Sequence, residues 1–189
     1  MKRLCLALAV VELAAVLAGP AVADHEAAQR VDRELDGWLL GDFSLIDYDG
    51  RTFTQERLKG RWTFVLFGDT RCSERCVPAL EALAGMRQRI AKTYALKTTQ
   101  VLFVSLDPER DSAERLRRYL APFDAQFVGA SGSRDTLARL AGELRSPGTP
   151  LTPGLLLLVG PDRDVRGQYL PPYDVLLLTA QFMKTRGGR

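Results

Sequence analysis

The chain has 189 residues, of which 46% are hydrophobic and 26% are charged. That length suits one globular domain with a real core, and a net charge of +3 is too small to indicate a nucleic-acid or membrane-surface partner. One histidine and three cysteines exclude a histidine-rich metal centre and a disulfide scaffold, so any site chemistry must centre on thiols.

The first 23 residues have the pattern of a secretory signal peptide. Lys2 and Arg3 precede an apolar run at residues 4–18, and Ala21-Val22-Ala23 forms a small-x-small cleavage site. We therefore predict residues 1–23 as a signal peptide that directs the protein across the inner membrane to the periplasm. An uncleaved signal would instead tether the protein to the membrane.

A lead-in segment is predicted at residues 24–40, which are charged and rich in alanine, and a folded domain is predicted at residues 41–189. The domain opens with a β-hairpin whose strands, at residues 43–47 and 51–54, flank the turn Tyr48-Asp49-Gly50.

Strands and helices alternate through the rest of the chain. Apolar or β-branched runs predict strands at residues 62–67, 100–106, 127–128, 155–159 and 165–169. Apolar spacings of three and four predict helices at residues 78–94, from about 112 to 120, 135–144 and 175–184. The alternation predicts an α/β fold with a mixed central sheet flanked by helices, in which the late hairpin makes the last strand antiparallel.

Asp111 and Ser112 follow the turn that begins at Asp107 and stand at the start of a predicted helix. Side chains of these types cap helix N-termini by accepting hydrogen bonds from backbone N–H groups. We therefore predict that one of the two caps this helix, and we assign the segment no catalytic role.

Cys72 and Cys76 are the residues that most strongly indicate chemistry. Signal cleavage would remove Cys5 and leave them as the two cysteines in a compartment where a dithiol can oxidise. Cys72 follows a predicted buried strand near a helix start, where the helix dipole, Arg71 and Arg75 should lower the pKa of its thiol. On one helical face the two Cβ atoms would be about 5–6 Å apart, within reach of a disulfide or a shared soft metal ion.

The alternative for this cysteine pair is a structural disulfide or two inert buried thiols. A bridge spanning only three residues would constrain the unfolded chain little, so redox or metal chemistry is the better interpretation. Thr152-Pro153-Gly154 stands before the strand predicted at residues 155–159, where a proline can present backbone to a substrate thiol. We therefore predict Thr152 and Pro153 as substrate-binding residues, with an ordinary loop proline as the alternative.

Several segments together resemble the Sco/SenC family of proteins. They are Gly41-Asp-Phe-Ser-Leu, Asp49-Gly50-Arg51, Phe64-Val-Leu-Phe-Gly68, Thr70-Arg71-Cys72-x₃-Cys76 and Val104-Ser-Leu-Asp107-Pro108-Glu-Arg-Asp111. The resemblance extends from residue 41 to the C-terminus. It implies a thioredoxin-like fold, an extracytoplasmic location and a part in assembling the copper A centre of cytochrome c oxidase.

The chain departs from the family at the copper site that the resemblance implies. The family binds copper with two cysteines and a histidine ahead of a late strand, and here Pro153 or a neighbour stands at that position. His25 lies near the predicted mature N-terminus instead. Two thiolates suit Cu(I), whereas Cu(II) would lack its imidazole. Cys72 and Cys76 are therefore candidate Cu(I) ligands, and copper is a candidate cofactor that thiol chemistry does not require.

We predict thiol–disulfide exchange, in which the Cys72 thiolate attacks a partner disulfide and Cys76 resolves the mixed disulfide. The expected partner is the copper A subunit of cytochrome c oxidase or another periplasmic thiol protein, with no nucleic acid, and the protein is expected to be monomeric. A Cu(I) chaperone that uses the same two cysteines as ligands is the alternative. Peroxiredoxin chemistry is disfavoured, because Val65 and Asp69 replace the proline and threonine of that motif.

Overall fold

A computed structural model of the protein describes residues 39–143 and 152–188. Its first element is the predicted hairpin, in which β1 (Ser44–Asp47) pairs antiparallel with β2 (Thr52–Thr54). Gly50 closes the turn with a φ of 76°, a left-handed conformation that glycine adopts without strain. The predicted signal peptide, His25 and the rest of the predicted lead-in up to residue 38 lie outside the described residues, as do residues 144–151.

Five further strands complete the sheet within the described residues. They are β3 (Trp62–Gly68), β4 (Thr99–Ser105), β5 (Val128–Ser131), β6 (Leu156–Val159) and β7 (Val165–Tyr169). The strand order is β2-β1-β5-β4-β3-β6-β7, with β3, β4 and β5 parallel and the other pairs antiparallel. The prediction of a mixed sheet with an antiparallel last strand is confirmed.

The helices of the described residues are α1 (Ser73–Arg89), α2 (Tyr94–Lys97), α3 (Ala113–Leu120), α4 (Arg134–Glu143) and α5 (Val175–Gly187). A short 3₁₀ helix also covers Gln55–Leu58. None of these helices combines the length and the apolar character that crossing a membrane requires.

The predicted bounds of the helix at residues 78–94 are wrong. The helix α1 starts five residues earlier, at Ser73, and Pro78 lies inside it. The apolar pattern missed the first turn because Ser73, Glu74 and Arg75 are exposed to solvent. The helix also ends earlier, at Arg89, and the short helix α2 follows it.

Apolar side chains pack on both faces of the sheet. Phe64 and Leu66 of β3 point towards α1, α3 and α5, whereas Val65 and Phe67 point towards α4 and the hairpin side. All seven residues of β3 are buried, as expected for a strand covered on both faces. The carboxyl end of β3 is therefore held in the core by packing on both faces. Cys72 follows that end after the three residues 69–71.

Candidate functional site

The candidate site lies at the carboxyl end of β3, where the chain turns into α1. Cys72 is the N-cap residue of α1, and its N–H donates to the carbonyl of Asp69 at 3.0 Å. Cys76 lies one helical turn later. The free N–H groups and the dipole at a helix N-terminus stabilise negative charge, so this position suits a thiolate at Cys72.

Cys72 and Cys76 form a disulfide, with their Cα atoms 5.4 Å apart. The two sulfurs have different environments, because Cys76 is 0% exposed whereas Cys72 is partly exposed. The sulfur of a partner can therefore approach Cys72 from solvent. The sulfur of Cys76 is shielded from a partner and is bonded only to Cys72.

Cys76 is buried against the end of β3. Its Sγ lies 3.8 Å from the carbonyl oxygen of Phe67, an arrangement in which a reduced thiol can donate a weak hydrogen bond. A Cβ at Gly68 would overlap this sulfur and lie 3.2 Å from the Phe103 ring. Glycine at position 68 therefore makes the space for the inner cysteine.

Cys72 opens onto a depression of about 360 Å³. The residues that line it are Asp69, Arg71, Cys72, Ser73, Glu74, Arg75 and Pro153. The fold thus brings Pro153 beside Cys72, which precedes it by 81 residues in the sequence. Thr152 is exposed and lies beside this lining without forming part of it.

The loop that carries Pro153 is fastened to β3 and to α1. Gly154 donates its N–H to the Phe67 carbonyl at 2.7 Å, which is the same carbonyl that faces Cys76. Gly154 has a φ of 93°, and a Cβ there would come within 2.6 Å of the Arg75 Cβ. Close approach of the loop to α1 therefore depends on glycine at this position.

The two arginines predicted to act on Cys72 differ in their partners. Arg71 lies 3.2 Å from a carboxylate oxygen of Asp107 and 3.6 Å from one of Asp69, so its charge is largely balanced. Arg75 lines the depression, and within the described residues no carboxylate forms an ion pair with it. Arg75 is therefore the better source of positive charge for an anion at Cys72.

Asp111 holds the loop before Cys72, a role that the sequence did not indicate. Its buried carboxylate accepts hydrogen bonds from the N–H and the Oγ1 of Thr70, at 3.0 and 2.7 Å, and from the Oγ of Ser105 at 2.6 Å. The helix cap is Ser112, which accepts from the N–H of Arg115 at 3.2 Å. The available signal in the sequence was a carboxylate in the segment after β4, six residues beyond the end of that strand, which pairs with β3.

Tyr119 also contacts the cysteine turn and was not predicted as a site residue. Its hydroxyl donates to the carbonyl of Cys72 at 3.2 Å, and its ring packs on Phe103. Burial raises the pKa of Tyr119 to about 12, and the charges of Asp69 and Asp111 act in the same direction. The phenol therefore remains a hydrogen-bond donor throughout the neutral range.

The cysteine pair offers copper two ligands of the same type, the sulfurs of Cys72 and Cys76. Within residues 39–143 and 152–188, no cluster of three or more His, Cys, Asp or Glu side chains is arranged to hold a metal ion. Reduction of the disulfide would free two sulfur ligands, which suit Cu(I). The described residues contain no imidazole, so this donor set does not fit Cu(II).

Comparison with known sequences identifies related proteins. The model of the SCO1/SenC family matches residues 32–149. A Stutzerimonas stutzeri protein named for copper binding is 32% identical over 144 residues, which cover 70% of each chain. The mitochondrial SCO2 homolog of Bos taurus is 33% identical over 105 residues, which cover 56% of this chain and 40% of the relative. The chain thus spans well under two thirds of the length of this mitochondrial relative.

Comparison with solved structures agrees with the predicted fold. The copper-bound ScoI of Arabidopsis thaliana superposes with a TM-score of 0.71 at 27% identity, covering 80% of this chain and all of that chain. The thioredoxin domain of a Bacteroides vulgatus thiol-disulfide oxidoreductase superposes with a TM-score of 0.59 at 18% identity, covering 77% and 96% of the two chains. The latter likeness concerns the fold alone. The prediction of a thioredoxin-like fold is confirmed.

Proposed function

Because the chain belongs to the SCO1/SenC family, we propose that it acts outside the cytoplasm as a thiol–disulfide protein in the assembly of cytochrome c oxidase. In this proposal the reduced protein reduces the disulfide form of the cysteine pair at the copper A site, before metal is loaded there. The partner and the compartment come from the family resemblance and the signal-like segment at residues 1–23.

The observation that carries the proposal is the unequal exposure of the two disulfide-bonded sulfurs. Cys72 borders an open depression at a helix N-terminus, whereas Cys76 is fully buried. This arrangement supports Cys72 as the attacking thiolate, since the attacking sulfur must reach a partner. It supports Cys76 as the resolving thiol, which needs to reach only Cys72.

Exchange proceeds in two steps that balance in electrons. The Cys72 thiolate attacks one sulfur of the partner disulfide, forming a mixed disulfide and releasing the other partner sulfur as a thiolate. Cys76, after losing its proton to solvent or to the released thiolate, attacks the Cys72 sulfur and expels the second partner sulfur. The partner gains two electrons, and the Cys72–Cys76 disulfide of this structure is the oxidised product.

Neighbouring residues contribute by holding and polarising the cysteine turn. Asp111 fixes Thr70 ahead of Cys72, and Arg75 favours the anionic sulfur that leaves or attacks at the depression. Pro153 forms part of the surface that a partner backbone would contact. A further round requires a dithiol donor that reduces the Cys72–Cys76 disulfide by the same exchange chemistry.

The direct test mixes the purified, reduced protein with an oxidised copper A domain and follows the partner's free thiols with time. We expect the wild-type protein to generate two partner thiols per molecule consumed and Cys72→Ser to fall to the background rate. The substitution places a hydroxyl at a partly exposed position, and the unfolding transition verifies that the variant is folded. A Cys72→Ser variant that reduces the domain at the wild-type rate would contradict the proposal.

A titration of the reduced protein with Cu(I) and with Cu(II) separates exchange from metal carriage. Thiol exchange requires neither ion, and the donor set suits only Cu(I). Tight one-to-one Cu(I) binding that Cys76→Ser abolishes, together with no reduction of the copper A domain, would replace the proposed function by that of a copper carrier. Reduction of the domain by the copper-free protein supports the proposed function.

A further inference from the structure

Tyr173 connects the segment between β7 and α5 to the loop that carries Pro153. Its hydroxyl donates a hydrogen bond to the carbonyl of Gly154. Burial raises the pKa of Tyr173 to about 12, although the positive charge of Arg75 acts in the opposite direction. The phenol therefore stays protonated and able to donate at neutral pH.

The start of α5, and with it Tyr173, is itself held against α1. Val175 packs on Gly85 so closely that a Cβ at Gly85 would lie 3.0 Å from its Cγ1. The side chain of Asp174 caps α5 by accepting from the N–H of Leu177 at 2.8 Å. Tyr173 directly precedes this cap, so its hydroxyl reaches Gly154 from a fixed backbone position.

Gly154 is held from both sides of its peptide unit. Its N–H donates to the Phe67 carbonyl, its carbonyl accepts from Tyr173, and its Cα packs on the side chain of Arg75. Pro153 has no N–H of its own, so it is held at the depression by these contacts of Gly154 and by the turn in which Leu155 donates its N–H to the Thr152 carbonyl at 3.1 Å. The Phe67 carbonyl also faces the sulfur of Cys76, which links the loop to the dithiol through one group.

We infer that Tyr173 is a positioning residue for thiol–disulfide exchange, which keeps Pro153 beside Cys72 so that a partner polypeptide meets an ordered surface. This inference rests on the proposed function. It distinguishes two kinds of disulfide substrate, because a small disulfide can react at the Cys72 sulfur without contacting the loop. A protein disulfide must bring its backbone over Pro153 to present its sulfur.

The test compares Tyr173→Phe with the wild-type protein on two substrates. The probes are an oxidised copper A domain and the small disulfide 5,5′-dithiobis(2-nitrobenzoic acid), each mixed with the reduced protein. We expect the second-order rate constant with the domain to fall about two- to tenfold, as loss of one net hydrogen bond predicts. The rate constant with the small disulfide should be unchanged, and the Gly154 amide should exchange its hydrogen faster.

Tyr48→Phe is the matched control. The hydroxyl of Tyr48 donates to the carbonyl of Phe127 at 2.6 Å, and this contact lies at the amino end of β5, away from the dithiol. Its removal also deletes one phenol-to-carbonyl hydrogen bond, so any general cost to stability is comparable. Tyr48→Phe should react with both disulfides at the wild-type rate.

The outcomes separate failure of this inference from failure of the proposed function. Equal rate constants for Tyr173→Phe and Tyr48→Phe with the copper A domain would overturn the role of Tyr173 and leave exchange intact. An equal slowing of Tyr173→Phe with both disulfides would also overturn it, because the effect would then act on the dithiol itself. A wild-type protein that reacts with the small disulfide and not with the domain would overturn the proposed function and this inference together.

Discussion

Gly68 marks the residue at which the rigid strand β3 meets the cysteine turn. A side chain at this position would need the space that the Cys76 sulfur and the Phe103 ring occupy. Both neighbours are fully buried and belong to a tightly packed core, so neither can move without disturbing other contacts. The buried position of Cys76 thus depends on the absence of a single methyl group at residue 68.

Substitution of Gly68 by alanine should therefore destabilise the oxidised protein. We expect the free energy of unfolding to fall by about 1–3 kcal/mol, as for other overpacked cores, and urea denaturation measures it. The control is Gly142→Ala in α4, where a Cβ would have no neighbour within 4 Å. That variant should be unchanged or more stable by up to about 1 kcal/mol, since alanine favours helix. Equal stability of the two variants would contradict the packing at Cys76.

The carboxylate of Asp47 stabilises the turn of the N-terminal hairpin and joins the hairpin to the 3₁₀ helix that follows it. Its buried carboxylate accepts hydrogen bonds from the guanidinium of Arg57 and from the N–H groups of Asp49 and Arg51. Burial acts to raise the pKa of Asp47, but these hydrogen bonds outweigh it and hold the pKa below its ordinary value of 3.8. The folded protein therefore binds this proton less readily than the unfolded chain does.

Because the folded-state pKa of Asp47 is lowered, its ionised form stabilises the fold fully above about pH 4, and this contribution is lost as the pH falls through the lowered value. We expect Asp47→Asn to reduce the free energy of unfolding at neutral pH by about 1–3 kcal/mol and to weaken its decline in acid. Urea unfolding across the acid range measures both effects. An exposed carboxylate in α4 gives the control, Asp135→Asn, and identical acid profiles for the two variants would exclude the role of Asp47.

At the level of elements, the start of α1 was the part of the site that sequence patterns located least well. The apolar period of the helix begins beyond Cys76, because the first turn faces solvent around the dithiol. Position relative to β3 still placed Cys72 at a helix start, which the structure has as the N-cap. Periodicity thus finds the buried face of a helix, whereas its functional end is polar and leaves no such signal.

The loop before β6 approaches α1 closely at Gly154. That residue combines a φ of 93° with a steric neighbour, since a Cβ would lie 2.6 Å from the Arg75 Cβ. Gly50 in the hairpin turn has a similar φ of 76° with nothing within 4 Å of a Cβ. Alanine at Gly50 would introduce backbone strain alone, whereas alanine at Gly154 would introduce backbone strain and a steric clash with α1. Comparison of the two variants therefore isolates the effect of the contact with α1.

We expect Gly154→Ala to slow exchange with a protein disulfide and Gly50→Ala to leave it unchanged. Both variants bear the strain of a left-handed alanine, about 1 kcal/mol or more, so both should lose some stability. Only Gly154→Ala displaces the loop from Arg75 and moves Pro153 away from Cys72. The second-order rate constant with an oxidised copper A domain measures the difference, and equal rates in the two variants would show that the loop contact is not needed.

On the scale of the whole molecule, the strands and the longer helices were predictable, whereas the short helix α2 and the order of the strands across the sheet were not. Residues 62–67 and 155–159 were identified as strands because buried strands leave continuous apolar runs. Nothing in the sequence of β1 indicates that β1 pairs with β5. In the sheet, β5 and β3 lie on opposite sides of β4. Strand order depends on pairing between distant segments, which a pattern within one segment does not encode.

The same limit applies to the contacts that hold the site. Cys72, Cys76 and Pro153 were identified from their types and from their positions beside strands. The fold places Cys72 and Pro153 in the lining of one depression, and Cys76 is buried next to it in a disulfide with Cys72. Asp111 and Tyr119 reach that site from other parts of the chain. From sequence alone, Asp111 is interpreted as a residue of a turn or helix start, and Tyr119 as part of the apolar face of a helix. Long-range hydrogen bonds are therefore the part of the site that required the structure.

The measurement that tests the account most directly is the capture of the mixed disulfide. The reduced Cys76→Ser variant, which lacks the resolving thiol, is mixed with an oxidised copper A domain, and the products are separated without reductant and mapped by mass spectrometry. The account predicts a stable one-to-one adduct joined through Cys72, and no adduct from the reverse variant Cys72→Ser, in which the remaining thiol is buried. An adduct that forms equally through Cys76, or no adduct with either variant, would contradict it.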